Sequence, residues 1–214
     1  DKDGHLLDIP ADPIVVLGTL PPGPVAIRWD DLSFEGPTTT SKVRAAAIEA
    51  AARVAVVGDD VAGRSLFAQA LAGLVDPSQG FAEIAGFEAV HAACAEKGEL
   101  VAYAGPPEVF HATLRENIDL GRRSVSHDRV REVLSQVGLA ETVLKLPNGL
   151  DTKLQSGGYP LTASQSKQLM LARAMAASPK LLVVDGILDD LNTESRHATW
   201  RVLAAENAGW TLVV

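Results

Sequence analysis

The sequence predicts an α/β fold in which a parallel sheet is covered by helices on both faces and carries an inserted helical subdomain. Strand-type and helix-type apolar patterns alternate along the chain, an order typical of parallel strands joined by crossover helices. A longer middle stretch, from about Thr113 to Leu146, is mainly helical in pattern. The chain has 214 residues, which suffices for one such domain with a hydrophobic core of its own.

The first predicted elements surround a loop that is bounded by glycines. Residues 1–25 are rich in proline and glycine, so we expect an extended linker there. An alternating strand is predicted at Ala26–Phe34, and a short apolar strand at Arg53–Val57 ends at Gly58. Apolar residues at helical spacing then predict a helix over Ser65–Leu74.

The later elements complete the alternation of strands and helices. Asp76, Pro77 and Gly80 indicate a turn after the first helix, and the helical subdomain is expected over about residues 106–178. The remaining elements are predicted as strands at Phe81–Ile84, Leu100–Ala104, Leu181–Val184 and Thr211–Val214, and as helices at Ala163–Ala177 and Thr193–Glu206.

Composition argues against several classes of function. A formal net charge of -8 and a pI near 5.1 disfavour a nucleic-acid partner, which would favour a basic surface. Apolar runs stay shorter than the ~20 residues that a membrane-spanning helix needs. The single cysteine, Cys94, excludes an internal disulfide and suits a reducing compartment. The five histidines have no metal-ligand spacing with one another or with Cys94.

The loop after the second predicted strand has the pattern of a phosphate-binding loop. The segment Gly58-Asp-Asp-Val-Ala-Gly63-Arg64-Ser65 matches Gly-x-x-x-x-Gly-Lys-Ser/Thr except at the lysine. In such a loop, backbone N–H groups and a helix N-terminus surround the phosphates, while the hydroxyl holds magnesium. The candidate nucleotide-binding residues are therefore Gly58, Asp59, Asp60, Val61, Ala62, Gly63, Arg64, Ser65 and Leu66.

An ordered series of further motifs points to one family. Strand Leu181–Val184 ends on Asp185, as a magnesium-orienting Walker B strand should, and Leu161-Thr-Ala-Ser-Gln165 is similar to the signature Leu-Ser-Gly-Gly-Gln. Three further segments resemble segments of the same family and follow the family's order: Asp76–Gly80, Phe110–Ile118 and Leu146–Thr152. From about Ile27 to Val214 the chain resembles the nucleotide-binding domain of ABC transporters of the exporter type.

This resemblance implies a P-loop NTPase-type sheet core and a domain of residues 26–214. It also implies a site for ATP, with Mg²⁺ held by Ser65 and Asp185, on the cytoplasmic side of a membrane. The family pairs two such domains head to tail, so each nucleotide lies between one phosphate loop and the other chain's signature residues, here Leu161, Thr162, Ala163, Ser164 and Gln165. The linker, with Leu6–Pro10, would then follow an upstream transmembrane domain, and the switch histidine would lie just past Val214.

The sequence departs from the family within the phosphate loop. Asp59 and Asp60 replace small or polar residues, and each carboxylate would repel a polyphosphate by on the order of 1 kcal/mol in wet surroundings. Val61 replaces a glycine, and its branched side chain would resist a left-handed backbone. Arg64 replaces the lysine with a bulky planar cation.

The sequence also departs from the family at its other catalytic positions. Gly105 stands at the Q-loop glutamine, and Gly186 stands where the family has its general-base glutamate, so no side chain there accepts a proton. Gly36 replaces the aromatic residue that stacks on adenine, Ala163 and Ser164 replace signature glycines, and Asp189-Asp-Leu-Asn192 replaces the D-loop Ser-Ala-Leu-Asp.

These departures favour a degenerate half of a transporter, which pairs with another nucleotide-binding domain and hydrolyses ATP weakly or not at all. A working ATPase with Arg64 in place of lysine and another carboxylate as base is the first alternative. A stand-alone scaffold or regulator is the second. Two other patterns are weaker alternatives: a Ser164-x-x-Lys167 nucleophile and a carboxylate pair at Asp189 and Asp190. Asp185 has its own alternative, as a structural carboxylate with no magnesium to orient.

Overall fold

The computed structural model describes residues 20–35, 40–93, 99–189 and 191–214. Most of the predicted linker therefore lies outside the described residues, as do Gly36, Cys94 and Asp190. In the described ranges, no helix combines the length and the apolar character that crossing a membrane requires.

The elements follow the predicted alternation, with several additions. The strands are β1 (Ile27–Glu35), β2 (Thr40–Val43), β3 (Ala46–Ile48), β4 (Arg53–Val54), β5 (Gln79–Ile84), β6 (Phe87–Glu88), β7 (Val101–Ala104), β8 (Leu181–Val184) and β9 (Thr211–Val213). The helices are α1 (Val61–Leu71), α2 (Ala89–Ala93), α3 (Leu114–Asp119), α4 (His127–Gln136), α5 (Ala140–Lys145), α6 (Ala163–Ala176) and α7 (Thr193–Leu203), with a 3₁₀ turn at Gly149–Asp151.

A parallel sheet with strand order β4-β9-β8-β7 forms the centre of the fold. Its strand β8 is buried on both faces, as expected for a short apolar run covered on two sides. Leu182 and Val184 lie in the core shared with the helical subdomain. Leu181 and Val183 lie in a second core, together with α1 and an antiparallel sheet. Successive side chains of β8 point to opposite faces of the sheet, so this strand contributes to both cores.

An antiparallel sheet accompanies the predicted parallel sheet, and the alternation of strands and helices did not predict it. Strand β1 pairs antiparallel with β2, β3 and β5, and β5 pairs with β6. The sheet packs on α1, where Trp29 of β1 meets Phe67 edge to face with ring centroids 5.1 Å apart. Strands β2, β3 and β6 have only two to four residues, too few for an alternating pattern to identify them.

The helical subdomain follows β7 and consists of α3, α4, α5 and α6. Helix α6 packs against both α3 and α4, and its residues Leu169, Leu171 and Met175 are fully buried in the shared core. Two capping boxes fix helix starts in this region, at Thr113 with Glu116 and at Thr162 with Gln165. In each box the threonine and the residue three positions later satisfy each other's backbone N–H group.

Two boundaries beside the phosphate loop differ from the prediction. Strand β4 ends at Val54, and Val57 is 87% exposed, so the predicted apolar strand does not run buried to Gly58. Helix α1 begins at Val61 instead of Ser65. Val61 is the first helical residue, so the left-handed conformation that its branched side chain was expected to resist is not required.

Candidate functional site

A cleft of about 650 Å³ lies where the loop between β4 and α1 meets the carboxyl ends of β7 and β8. Parallel α/β sheets bind ligands at this edge. The cleft brings together residues that are far apart in sequence. Its lining includes Gly58, Val61, Arg64 and Ser65 from the loop, and Gly105, Asp185, Gly186 and Asp189 from the strand ends. Leu66, in contrast, packs against the hydrophobic core beneath α1.

The N-terminus of α1 is capped by Asp60. Oδ1 of Asp60 accepts a hydrogen bond of 3.0 Å from the backbone N–H of Gly63, and Oδ2 accepts one of 2.6 Å from the Ser41 hydroxyl on β2. The Ser41 bond is the first cause, and the Gly63 bond the second, that hold the pKa of Asp60 below its usual value. Asp60 therefore carries its negative charge where a phosphate loop would hold a phosphate.

Arg64 points back toward its own loop. Its guanidinium donates to the backbone carbonyl of Gly58, and the Arg64 N–H bonds to the Asp60 carbonyl at 3.0 Å within α1. The planar head of Arg64 is thus held by the backbone of its own loop. The sequence identified Arg64 as a changed cation but did not predict its bond to Gly58.

Ser65 and Asp185, the two predicted magnesium residues, lie together. The Ser65 hydroxyl donates to Oδ1 of Asp185 at 3.0 Å, and the Tyr103 hydroxyl donates to Oδ2 at 2.8 Å. Burial, followed by the bond to Asp185, raises the pKa of Tyr103 to about 12. The phenol therefore stays protonated and donates to Asp185 at neutral pH.

Gly105 makes room for the ring of Tyr103. A Cβ added at Gly105 would lie only 2.3–2.4 Å from ring atoms and the hydroxyl of Tyr103, far inside normal contact. A glutamine at this position and the observed Tyr103 conformation therefore exclude each other. The glycine and the tyrosine form one feature, in which a hydroxyl from β7 reaches the carboxylate that follows β8.

Gly186 has no side chain and adopts a left-handed backbone, with φ of +64°. A Cβ built there meets no atom within 4 Å among the described residues, so space is available for a larger side chain. Any residue other than glycine would, however, be strained in this conformation.

The signature residues lie outside this cleft. Thr162 caps α6, Leu161 is buried, and Gln165 donates to the Thr142 hydroxyl at 3.0 Å in addition to its capping bond. Ala163 and Ser164 occupy the first turn of the helix. The five residues form a capped helix start, and none of them lines the cleft beside the phosphate loop.

In this conformation the groups expected to bind phosphate and Mg²⁺ are bonded to one another within the protein. The carboxylate of Asp60 takes the N–H group of Gly63, and the Ser65 hydroxyl and both Asp185 oxygens are engaged within the protein. A bound Mg²⁺ would compete with these bonds for two of its expected ligands.

Three features of the site were missed at the sequence level. Tyr103 belongs to none of the motifs found in the sequence, and its contact with Asp185 depends on the pairing of β7 with β8. Ser41 approaches Asp60 only through the antiparallel sheet, which the pattern did not predict. The capping role of Asp60 had a sequence signal, because an aspartate directly before a helix is a preferred N-cap. The expected helix start at Ser65 hid that signal.

The sequence and structure comparisons agree with one another. A family model described as ABC transporter matches residues 44–188. The chain is 30% identical over 168 residues to the uncharacterized ABC transporter ATP-binding protein YwjA of Bacillus subtilis, covering 78% of this chain and 29% of that protein. It is 34% identical over 145 residues to the ABC transporter ATP-binding protein RamA of Streptomyces coelicolor, covering 67% of this chain and 22% of that protein.

A solved structure titled as a bacterial Atm1-family ABC exporter with ATP bound superposes with a TM-score of 0.77. The match is 22% identical and covers 91% of this chain and 36% of that chain, so it establishes the fold. The chain spans less than a third of the length of both relatives described above.

Proposed function

Because this chain belongs to the ABC transporter family, we propose that it is the nucleotide-binding domain of an exporter, with weak or no ATP hydrolysis of its own. In this role it pairs with another nucleotide-binding domain and couples that partner's nucleotide state to transport. The exporter type is supported by the likeness to the Atm1-family fold and by the order of motifs from Asp76–Gly80 to Asp185.

The observation that carries the proposal is the glycine after Asp185. General-base help contributes about 10²–10⁴-fold in rate, and Gly186 has no group that accepts a proton. The bonds from Ser65 and Tyr103 to Asp185 support the same interpretation, since they engage the remaining magnesium residues. Loss of the base and engagement of the metal ligands are separate defects.

A head-to-tail dimer would divide these defects unequally between two sites. Nucleotide on this chain's own loop would lack a base with any partner. A competent partner would instead bring its own loop and base to Thr162, Ala163 and Ser164 of this chain, at the start of α6. The hydroxyl of Thr162 and the N-terminus of α6 would then supply dipoles toward the partner's nucleotide. An upstream transmembrane domain and a place on the cytoplasmic side of the membrane belong to the same proposal.

The alternative of a working ATPase has one observation in its favour. Asp189 lines the same cleft as Asp185 and Gly186, so a second carboxylate faces the space in which a water would react. In that case purified wild-type chain hydrolyses ATP steadily, and Asp189→Asn abolishes the activity as completely as Asp185→Asn does.

The test of the proposal is phosphate release by a repair series mixed with an intact ABC nucleotide-binding domain that supplies the partner signature. Arg64→Lys alone should leave turnover at background. A loop repair that adds Asp59→Ser, Asp60→Gly and Val61→Gly should improve binding without turnover. Only the further change Gly186→Glu should raise turnover above that of the partner domain alone. The gain contributed by this chain should be about 10²-fold over the loop-repaired chain that keeps Gly186, because the base is restored.

Gly86→Glu is the matched control for the strain that Gly186→Glu introduces. Gly86 has a φ of +85° and open space around an added Cβ, and it does not line the cleft. This variant in the repaired loop should fold comparably and stay inactive. Robust turnover from Arg64→Lys alone would replace the proposal with the working-ATPase alternative.

A further inference from the structure

We propose that Asp60 is a built-in occupant of the phosphate site, an autoinhibitory contact that closes the loop against nucleotide phosphate from within the chain. This inference rests on the proposed function, because it explains why the loop would be empty of nucleotide in the transporter. It differs from simple repulsion between carboxylates and phosphate. Asp60 engages a donor of the helix start through its own carboxylate, whereas a merely repulsive carboxylate would leave that donor free.

The first support is the use of the helix donors. The first N–H groups of a helix have no partner within the helix, and they carry the positive end of its dipole. At α1 the N–H of Gly63 bonds to the Asp60 carboxylate at 3.0 Å, and the N–H of Ala62 also interacts with it. A phosphate would have to displace a carboxylate that is already hydrogen-bonded there.

The second support is the anchor on the other carboxylate oxygen. Ser41, on the antiparallel sheet and 19 residues away in sequence, donates to Oδ2 of Asp60 at 2.6 Å. An N-cap needs only the helix side of this arrangement. The second bond fixes the carboxylate against β2, so two different elements hold it in place.

The third support is the fit at Gly63. A Cβ added there would lie 2.3 Å from Oδ2 of Asp60 and 2.7 Å from the Ser41 hydroxyl. The carboxylate and the hydroxyl therefore occupy the space directly over the helix start. Gly63 is a glycine that phosphate loops also require, but here the space that it leaves is taken by the protein.

Asp59 provides a natural comparison. It is a neighbouring exposed carboxylate, and within the described part of the chain no hydrogen bond holds it. If charge repulsion alone kept phosphate away, Asp59 and Asp60 would contribute similarly. If occupancy matters, only Asp60 should.

The experiment measures inorganic pyrophosphate binding by calorimetry to the wild-type chain, Asp60→Gly and Asp59→Gly. Each variant removes one carboxylate and introduces one loop glycine. We expect Asp60→Gly to bind pyrophosphate about ten-fold tighter than Asp59→Gly, which should stay close to wild type. Asp60→Asn removes the charge but keeps an oxygen to cap α1, so it should behave like Asp59→Gly. Equal affinities of the two glycine variants overturn the inference in favour of repulsion, and no gain in either also overturns it.

A second measurement covers the case in which Asp60→Gly does not fold. When pyrophosphate is added to the wild-type chain, the Gly63 amide resonance should not shift, because its N–H is already bonded to Asp60. When pyrophosphate is added to Ser41→Ala, the same resonance should shift. A Gly63 amide that shifts with pyrophosphate in the wild type contradicts the inference. Neither measurement depends on hydrolysis. ATP turnover by the wild-type chain would contradict the proposed function, whereas the pyrophosphate affinities of the variants test the role of Asp60.

Discussion

Asp185 shows how single residues change the site while the fold is retained. The family resemblance implied that Ser65 and Asp185 both hold magnesium, and the structure places their side chains 3.0 Å apart. The sequence did not predict the Tyr103 hydroxyl at 2.8 Å from the same carboxylate. Motif spacing locates residues at strand ends, but a side chain that reaches across from a neighbouring strand has no fixed spacing.

We predict that Tyr103 titrates as a perturbed phenol. In Tyr159→Phe, Tyr103 is the one tyrosine left, since the chain has two. Its phenolate absorbance should rise with a midpoint near pH 12. Asp185→Asn in this background should lower the midpoint, because the accepting carboxylate and its charge are gone. A midpoint that Asp185→Asn leaves unchanged would mean that the two side chains do not interact.

The sign of the linked stability effect follows from this shift. In the unfolded chain the Tyr103 phenol has the ordinary tyrosine pKa of 10.0, whereas folding raises that pKa to about 12. The contribution of Tyr103 to the free energy of unfolding is therefore fully present below about pH 10 and is lost as pH rises through 12. Tyr103→Phe should flatten the fall in unfolding free energy over that window, measured by urea titration at each pH.

The predicted start of α6 at Ala163 agrees with the structure, and the starts of both α6 and α3 have a capping box that the sequence analysis did not use. The pattern Thr-x-x-Gln at Thr162 gives the observed start of α6, and Thr-x-x-Glu at Thr113 gives that of α3. The start of α1 was missed by four residues, because the family motif suggested a loop up to Ser65 while the Asp60 cap starts the helix at Val61. Local capping chemistry decided the boundary.

The segment between β7 and α3 is held by one buried asparagine, Asn117. Its side chain accepts from the Phe110 N–H at 2.8 Å and donates to the carbonyls of Phe110 and Thr113. Arg173 of α6 donates to both the backbone and the side-chain oxygen of Asn117, and its guanidinium lies 4.9 Å from the centre of the Phe110 ring. This network ties the exposed loop to the core of the helical subdomain.

Asn117→Ala should therefore destabilise the fold. The side chain is fully buried, and its removal leaves several polar groups without partners, which costs about 2–4 kcal/mol. Urea unfolding followed by circular dichroism measures the loss. Asn148→Ala is the control, because Asn148 is exposed and its side chain makes no capping bond. Equal midpoints for the two variants would contradict the role given to Asn117.

Across the molecule, the fold class was predictable and the second sheet was not. The parallel sheet follows from apolar strands such as Leu181–Val184, which have no other place to bury both faces. Strand β1 and the short strand β2 gave no signal of their partners, since antiparallel pairing is decided by tertiary contacts. Ser41 lies on that unpredicted sheet, so its bond to Asp60 was out of reach of sequence reasoning.

In our interpretation, this chain keeps the family fold while its own residues close the phosphate site. Calorimetric titration of the purified chain with magnesium-ATP at neutral pH tests this closure. We expect no saturation below roughly millimolar ligand, a binding free energy no stronger than about -4 kcal/mol. Saturation at micromolar magnesium-ATP with one site per chain would contradict the closure, because the bonds of Asp60, Ser65 and Asp185 would then have to open at little cost.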